Sequence, residues 1–290
     1  MFTEVLLRVV TVVVGLMLPV AIAVFVGRQR LATVRSEWKH RLRVCGPTIA
    51  VLLVVLALNR VMRQIGPGLS RDIGIHMTEV FYDLEGEFVL IFQTIQTSEV
   101  TSYFTFTYVY GYTFLLLFPV VAYFALSDTV PFRRLLVAYS FNYALGLVLY
   151  IFVIAYGPRN MMPELVGETM LYDTKPEYQH LTRQVNRNTN VFPSLHTSLS
   201  ATVATFAYMT RSEYPKWFPV ATALAVSVIV STMYLGIHWG IDVVAGLLLA
   251  AVSVALSIKL VGRWSVSAGL ETIGAVLRPP SDDPSTTDRE

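Results

Sequence analysis

Charged residues are scarce in this sequence. Asp, Glu, Lys and Arg make up 14% of its 290 residues, against roughly 25% in ordinary soluble domains. Hydrophobic residues make up 54% and the mean hydropathy is +0.56. A soluble protein needs the missing charge to cover its surface. The composition therefore excludes a freely soluble enzyme or a disordered chain and predicts a protein that is solvated mainly by lipid.

Cysteine is also scarce, since Cys45 is the only one. A single thiol excludes an intramolecular disulfide, a secreted disulfide scaffold and a thiolate metal cluster. Cys45 lies beside a basic stretch at a predicted membrane boundary, where palmitoylation is one interpretation and an inert small apolar residue is the preferred one. The net charge of +2 is too small to indicate nucleic acid as a partner.

Long apolar runs, in contrast, are abundant. A helix needs about 20 mostly apolar residues to cross a bilayer, and seven stretches qualify: 4–26, 46–62, 102–126, 135–156, 192–210, 219–238 and 241–261. The stretch 79–98 carries four acidic residues before a short apolar run, so we expect an interfacial or re-entrant helix there rather than a span. The predicted fold class is all-α, a polytopic bundle of about seven transmembrane helices.

The first apolar run has two interpretations. Ala21-Ile-Ala23 resembles a signal-peptide cleavage site. However, the run continues through Val26 and then meets Arg28 and Arg30, as a retained span does. We therefore favour a membrane span.

The distribution of Lys and Arg predicts the orientation of the bundle. The basic loop expected at 27–45 should be cytoplasmic, and alternation then places 127–134, 211–218 and the C-terminal tail on the same side. These segments hold 14 of the 22 Lys and Arg residues. The N-terminus should lie outside and the C-terminus inside.

Two of the five histidines stand at the ends of apolar runs. His40, His76 and His180 lie in predicted loops where nothing requires a role. His196 and His238 are different, because ionisable residues at membrane depth are costly and usually functional.

His196 lies in the segment Val191-Phe-Pro-Ser-Leu-His-Thr197. Pro193 suits the first turn of a helix, so the N–H groups of Ser194 and the next two residues should point outward from a positive helix end. This geometry favours a phosphate. The alternative is a span that begins with proline and carries an interfacial histidine.

His238 and Asp242 are four residues apart, which places them on one helical face. A carboxylate at that spacing fixes the imidazole tautomer and leaves the second nitrogen available as a nucleophile or base. The alternative is a pair that only stabilises a helix end.

Topology predicts that both histidines lie at the outer membrane face. The loop 157–190 lies on that face too and supplies four cations: Arg159, Lys175, Arg183 and Arg187. Two histidines, an aspartate and several cations at one end of a bundle indicate an anion site suited to phosphoryl transfer. No acidic cluster with ligand spacing accompanies them, so neither a metal nor another cofactor is required.

The two histidine segments resemble the second and third signatures of the type 2 phosphatidic acid phosphatase superfamily, P-S-G-H and S-R-x5-H-x3-D. The spacing from Ser231 to His238 and Asp242 fits. The resemblance implies that His238 becomes phosphohistidine, Asp242 orients it and His196 protonates the leaving oxygen. It also implies that Ser194 and its neighbouring N–H groups hold the phosphoryl oxygens, with Ser231 as a further substrate-binding candidate.

The departures from these signatures are informative. Leu195 replaces the glycine and Thr232 the arginine, which resembles the inositol phosphorylceramide synthase branch. The first signature, K-x6-R-P, is not cleanly present, since Lys175 to Arg183 is one residue too long and Gln184 replaces the proline. Arg183, Arg187, Lys175 and Arg159 are therefore the phosphate-binding candidates.

The resemblance implies a six-helix catalytic domain at 46–262, preceded at 1–45 by an extra span with its basic loop and followed at 263–290 by a polar, partly disordered cytoplasmic tail. We expect a cell-membrane phosphatase or phosphotransferase that acts on a phosphorylated lipid, with inositol phosphate as one candidate headgroup. The alternative is a seven-helix transporter or receptor with a His–Asp proton relay. The sequence does not indicate the oligomeric state.

Overall fold

The computed structural model describes residues 2–163, 165–166 and 191–262. The predicted all-α membrane bundle is confirmed, since six helices in the described residues are long and apolar enough to cross a membrane. Their bounds are Leu6–Val26, Arg28–Ile73, Ser98–Phe124, Val130–Phe152, Trp217–Tyr234 and Gly240–Leu260.

The individual helices are numbered in chain order. They are α1 (Phe2–Val12), α2 (Leu18–Ala21), α3 (Arg28–Ile73), α4 (Thr78–Glu85), α5 (Ser98–Phe106), α6 (Tyr112–Phe124), α7 (Val130–Phe152), α8 (Pro158–Met161), α9 (Leu195–Met209), α10 (Trp217–Tyr234) and α11 (Gly240–Leu260). Two residues each form the parallel strands β1 (Ile75–His76) and β2 (Val153–Ile154). Short π-helical segments at Val13–Met17, Ile22–Val26 and Thr107–Gly111 keep α1 with α2, and α5 with α6, as continuous spans.

The basic segment 27–45 is not a loop, so that prediction is wrong. It forms the first turns of α3, which continues for 46 residues through Pro47 and Pro67. Arg, Leu, Ala, Glu and Lys are good helix formers, and the turn occurs earlier, at Gly27 with φ 80°. At 1.5 Å per residue α3 is about 69 Å long, so it extends well beyond a hydrocarbon core of about 30 Å.

The predicted span at 192–210 is shorter than expected. Helix α9 has 15 residues, about 22 Å, and is not among the six helices that meet the span criteria. It packs against α6, α7, α10 and α11, and most of its side chains are buried. Helix α9 therefore packs largely within the bundle, capped by Ser194 at its start and by Thr210 at its end.

The segment 79–98 contains two short helices, α4 and a 3-10 helix at Phe88–Gln93. The eight residues of α4 rise about 12 Å, so neither helix crosses a bilayer. Both lie at the end of the bundle that holds His238, which we call the His238 end.

The opposite end, the Glu213 end, is closed by polar contacts. Arg30 forms a 2.8 Å ion pair with Glu213 in the turn between α9 and α10. Arg41 is 2% exposed and donates to the carbonyl oxygens of Phe124, at 2.9 Å, and Leu126. A guanidinium at the C-terminus of α6 satisfies carbonyls that have no partner within the helix.

Candidate functional site

His238 lies in the turn that joins α10 to α11. The N–H groups of Ile237 and His238 donate to the Thr232 carbonyl oxygen at 2.9 and 3.1 Å, which ends α10. Gly236 has φ +63°, a left-handed conformation that favours glycine, and a Cβ there would clash with the Val166 side chain. This tight turn directs the imidazole into the bundle, where His238 is 1% exposed.

Asp242 holds both the His238 ring and the start of α11. Its Oδ2 atom lies 3.3 Å from His238 Nδ1 and accepts a 2.9 Å hydrogen bond from the Trp239 N–H. Among the described residues, neither His238 Nε2 nor Asp242 Oδ1 has a hydrogen-bond partner, although the Val191 backbone lies close enough to interact with the ring. The predicted pair therefore forms, with the second imidazole nitrogen on the side of the ring away from Asp242.

Glu85 anchors the same helix end from α4. Its two carboxylate oxygens accept hydrogen bonds from the N–H groups of Gly240, at 2.6 Å, and Ile241, at 2.9 Å. A carboxylate at a helix N-terminus satisfies N–H groups that have no partner within the helix and complements the helix dipole. Glu85 is only one of four acidic residues in the segment 79–98, so the sequence does not predict this contact.

Ser194 joins the beginnings of α9 and α11. Its side-chain oxygen accepts from the Thr197 N–H at 3.3 Å, and its own N–H donates to the Asp242 carbonyl oxygen at 3.1 Å. The helix therefore begins later than predicted: Pro193 is not in its first turn, Ser194 is the N-cap and Leu195 is the first helical residue. The Ser194 N–H, predicted to point outward towards a phosphate, is used in the contact with Asp242. The two motif segments lie next to each other, as their resemblance to one site predicts.

His196 faces His238, with ring centroids 6.5 Å apart. Two tyrosines flank it: Tyr108 is stacked at 4.5 Å and Tyr112 is tilted at 4.2 Å. Nothing in an aromatic-rich span distinguishes these two tyrosines from core residues, so the sequence does not predict their contacts with His196.

Leu195, which replaces the signature glycine, packs against Gly146 in α7. A Cβ at Gly146 would lie 2.7 Å from Leu195 Cδ2. The missing side chain at Gly146 of α7 therefore leaves the space that the Leu195 side chain occupies.

The hydroxyl groups of Ser231 and Thr232 are used within α10. Ser231 Oγ donates to the Val228 carbonyl oxygen at 2.6 Å, and Thr232 Oγ1 donates to that of Ile229 at 2.7 Å. Both residues are fully buried. Neither can supply the positive charge of the signature arginine.

Among the predicted loop cations, Arg159 lies in the described part of the chain. Its N–H donates to the Gly236 carbonyl oxygen at 3.0 Å, and its charge acts on His238. Lys175, Arg183 and Arg187 lie outside the described residues, as do His180 and the tail 263–290.

The described ranges contain no group of three His, Cys, Asp or Glu side chains able to hold a metal ion.

A cation that the sequence analysis did not select lies on the other side of His196. Arg63 of α3 lines a cavity of about 340 Å³ together with His196, Tyr108 and Tyr112. Its charge is close enough to act on the His196 imidazole. The sequence signal for Arg63 was a cation near the outer end of a span. However, Arg63 precedes both histidine motifs by more than 120 residues.

Comparison with known proteins identifies the family. The PAP2 superfamily model matches residues 82–256, more than half of the chain, from α4 into α11. The match includes His196, His238 and Asp242. A search of curated proteins and a search of solved structures found no match. The chain therefore belongs to the PAP2 superfamily.

Proposed function

We propose that this protein is an integral membrane phosphatase or phosphotransferase that acts on a phosphorylated lipid through a phosphohistidine at His238. Membership of the PAP2 superfamily and the membrane-spanning helices support a membrane enzyme of the phosphatase type. We infer that the reaction takes place at the extracytoplasmic face of the cell membrane.

The arrangement of His238 is the observation that carries this proposal. Asp242 accepts from Nδ1, which leaves the Nε2 lone pair for attack on phosphorus. The turn fixes the ring, so little conformational freedom has to be lost before attack. The new N–P bond forms as the bond from phosphorus to the leaving oxygen breaks.

In the proposed mechanism, His196 is the general acid for the leaving oxygen. In its protonated form it donates a proton to that oxygen and becomes neutral. An acceptor hydroxyl then attacks the phosphohistidine, gives its proton to His196 and restores both histidines. The 6.5 Å separation of the two rings suits residues on either side of one phosphoryl group.

The phosphoryl oxygens need positive partners while charge spreads over them. The N-terminal turn of α9 at Ser194 offers a partial positive charge, and Arg159 adds a full charge near His238. Lys175, Arg183 and Arg187 remain predictions for the same role, and Ser231 would contribute only through its oxygen lone pairs.

The acceptor distinguishes two activities. Water as acceptor releases phosphate, whereas an alcohol receives the phosphorylated headgroup. Leu195 and Thr232 favour headgroup transfer, with inositol phosphate as one candidate group, because these replacements resemble the inositol phosphorylceramide synthase branch. The chemistry at His238 is the same in both cases.

A proton-relay transporter or receptor is the alternative. A relay needs ionisable side chains along the length of the bundle. Apart from tyrosine and cysteine, the fully buried ionisable residues of the described chain are His238, Asp242 and Arg41. Arg41 lies at the Glu213 end, so these residues do not form a chain of ionisable groups along the bundle. Their positions favour an enzyme over a proton relay.

Replacement of His238 by Ala tests the proposal. We expect at least about a thousandfold loss of turnover, as for removal of a nucleophile, with acid-labile phosphoenzyme formed by the wild type and not by His238→Ala. Phosphate release and headgroup transfer should be followed separately on purified protein in lipid, with EDTA present. His76→Ala, at the same end of the bundle, is the matched control. Turnover of His238→Ala within tenfold of the wild type would contradict the proposal.

A further inference from the structure

The cavity beside His196 is apolar over most of its wall. Its volume of about 340 Å³ lies in the range of small-molecule sites. One side is formed by residues of the first span between Leu6 and Val14, in α1 and the π-helical segment after it, a rise of about 12 Å along the helix. Leu6, Val10 and Val14 line this space and are between 43% and 48% exposed, so neighbouring side chains leave much of their surface uncovered.

Two walls of the cavity lie outside the family match. The match begins at residue 82, whereas α1 and Arg63 in α3 precede it. The remaining walls come from the matched part of the chain, through Tyr112 and Leu117 of α6 and Tyr143 and Tyr150 of α7. The N-terminal helices thus complete a cavity that the matched region alone leaves open.

Arg63 stands at the boundary between the apolar and polar parts of α3. It lies twenty residues after Arg43, about 30 Å along the helix, which equals the thickness of a hydrocarbon core. Its guanidinium therefore reaches headgroup depth when Arg43 lies at the opposite surface. Among the described residues, no carboxylate forms an ion pair with Arg63.

We propose that α1 and α3 form a substrate subsite in which one hydrocarbon chain of the lipid lies in the α1-lined cavity and Arg63 binds its phosphate beside His196. This inference deepens the proposed function and rests on it for the identity of the substrate. Arg63 supplies the full positive charge that Thr232 cannot provide where the family signature has arginine. The chain extends from His196 along α1 towards the Glu213 end.

The phosphate contact is tested by binding, so that the result does not depend on turnover. The probe is a short-chain lysophosphatidic acid, titrated against protein in the His238→Ala background. Arg63→Gln should weaken binding at least about tenfold, because a charge-assisted hydrogen bond is lost, and should not change binding of the matching monoacylglycerol, which has no phosphate. Arg60→Gln, on an exposed position of the same helix, is the matched control. Equal effects of the two variants would overturn the role of Arg63.

The chain contact is tested by narrowing the cavity from α1. In the same background, two lysophosphatidic acids whose chains differ by two methylene groups should differ about fifteenfold in affinity, from about fourfold per buried methylene. Val14→Trp should remove most of this difference, and Val20→Trp, exposed on the same span outside the cavity, should preserve it. Loss of the difference in both variants or in neither would overturn the subsite.

Turnover of the wild-type protein distinguishes this inference from the proposed function. An inactive wild type with the expected binding pattern would contradict the proposed enzymatic function and support the subsite. An active wild type with unchanged affinities in Arg63→Gln and Val14→Trp would reject the subsite and keep the enzyme.

Discussion

At the scale of single residues, short-range spacing predicted the central pair and missed the residues that support it. His238 and Asp242 are four apart, and they do meet, although His238 lies in the turn before α11 and not on the helix itself. Asp242 reaches back across the helix start to do so. A spacing rule succeeds here because both partners belong to one local turn.

Glu85, Arg63 and Tyr108 could not be predicted in the same way. Each lies more than 80 residues from the motif it contacts, and only the packing of the bundle brings them together. Without an alignment of related sequences, an acidic residue in an amphipathic segment looks like any other interfacial residue. Their contacts are made between distant segments of the chain, and neither composition nor periodicity predicts which segments pack together.

Glu85 provides a prediction at this scale. Glu85→Ala removes the acceptor of two N–H groups at the start of α11, so we expect a loss of about 1–3 kcal/mol in stability and slower turnover as the His238 turn loosens. Thermal unfolding in detergent and kcat on purified protein measure the two effects. Asp83→Ala, an exposed change in the same helix, is the control, and a Glu85→Ala protein as stable and active as this control would contradict the role.

At the scale of helices, periodicity and length predicted six of the seven spans as long apolar helices. The two errors have physical causes. The basic segment 27–45 continues as helix because its residues are helix formers and Gly27 ends the preceding span earlier. Helix α9 is shorter than the predicted span because it begins only after the Ser194 N-cap and ends at Met209. Many of its side chains are buried, so the hydropathy of its sequence reflects packing within the bundle as well as contact with lipid.

The contact between α7 and α9 gives a prediction at the scale of helix packing. Gly146→Ala places a Cβ 2.7 Å from Leu195 Cδ2, and this overpacking should cost about 1–3 kcal/mol. Leu195→Ala removes the clashing atoms, so Gly146→Ala should cost little in the Leu195→Ala background, and the double variant should be about as stable as Leu195→Ala alone. A double-mutant cycle of thermal stability measures the coupling.

The matched control is Gly68→Ala, because a Cβ there meets no atom within 4 Å. If the Gly146 and Leu195 changes are additive, the proposed compensation between the two helices is absent. If they are coupled, the loss of the signature glycine at Leu195 is accommodated by α7 and leaves the start of α9 in place.

At the scale of the whole molecule, His238 and most of the positive charge in the described residues lie at opposite ends. Arg30 and Arg41 make contacts at the Glu213 end. Helices that begin or end there carry Arg133, Arg134 and Lys259, and the turn between α9 and α10 carries Arg211 and Lys216. Cytoplasmic ends of membrane proteins carry the excess of Lys and Arg. We therefore infer that the Glu213 end is cytoplasmic and that His238 lies near the outer surface.

Thiol accessibility tests this orientation. In a Cys45→Ala background the chain has no other cysteine, so a single introduced thiol reports one position. Gln96, before α5 at the His238 end, and Ser212, in the turn after α9, are both exposed. Gln96→Cys should react with an impermeant reagent in intact cells, whereas Ser212→Cys should react only after permeabilisation. The opposite pattern would place His238 on the cytoplasmic side, and the phosphorylated lipid would then have to come from the inner leaflet.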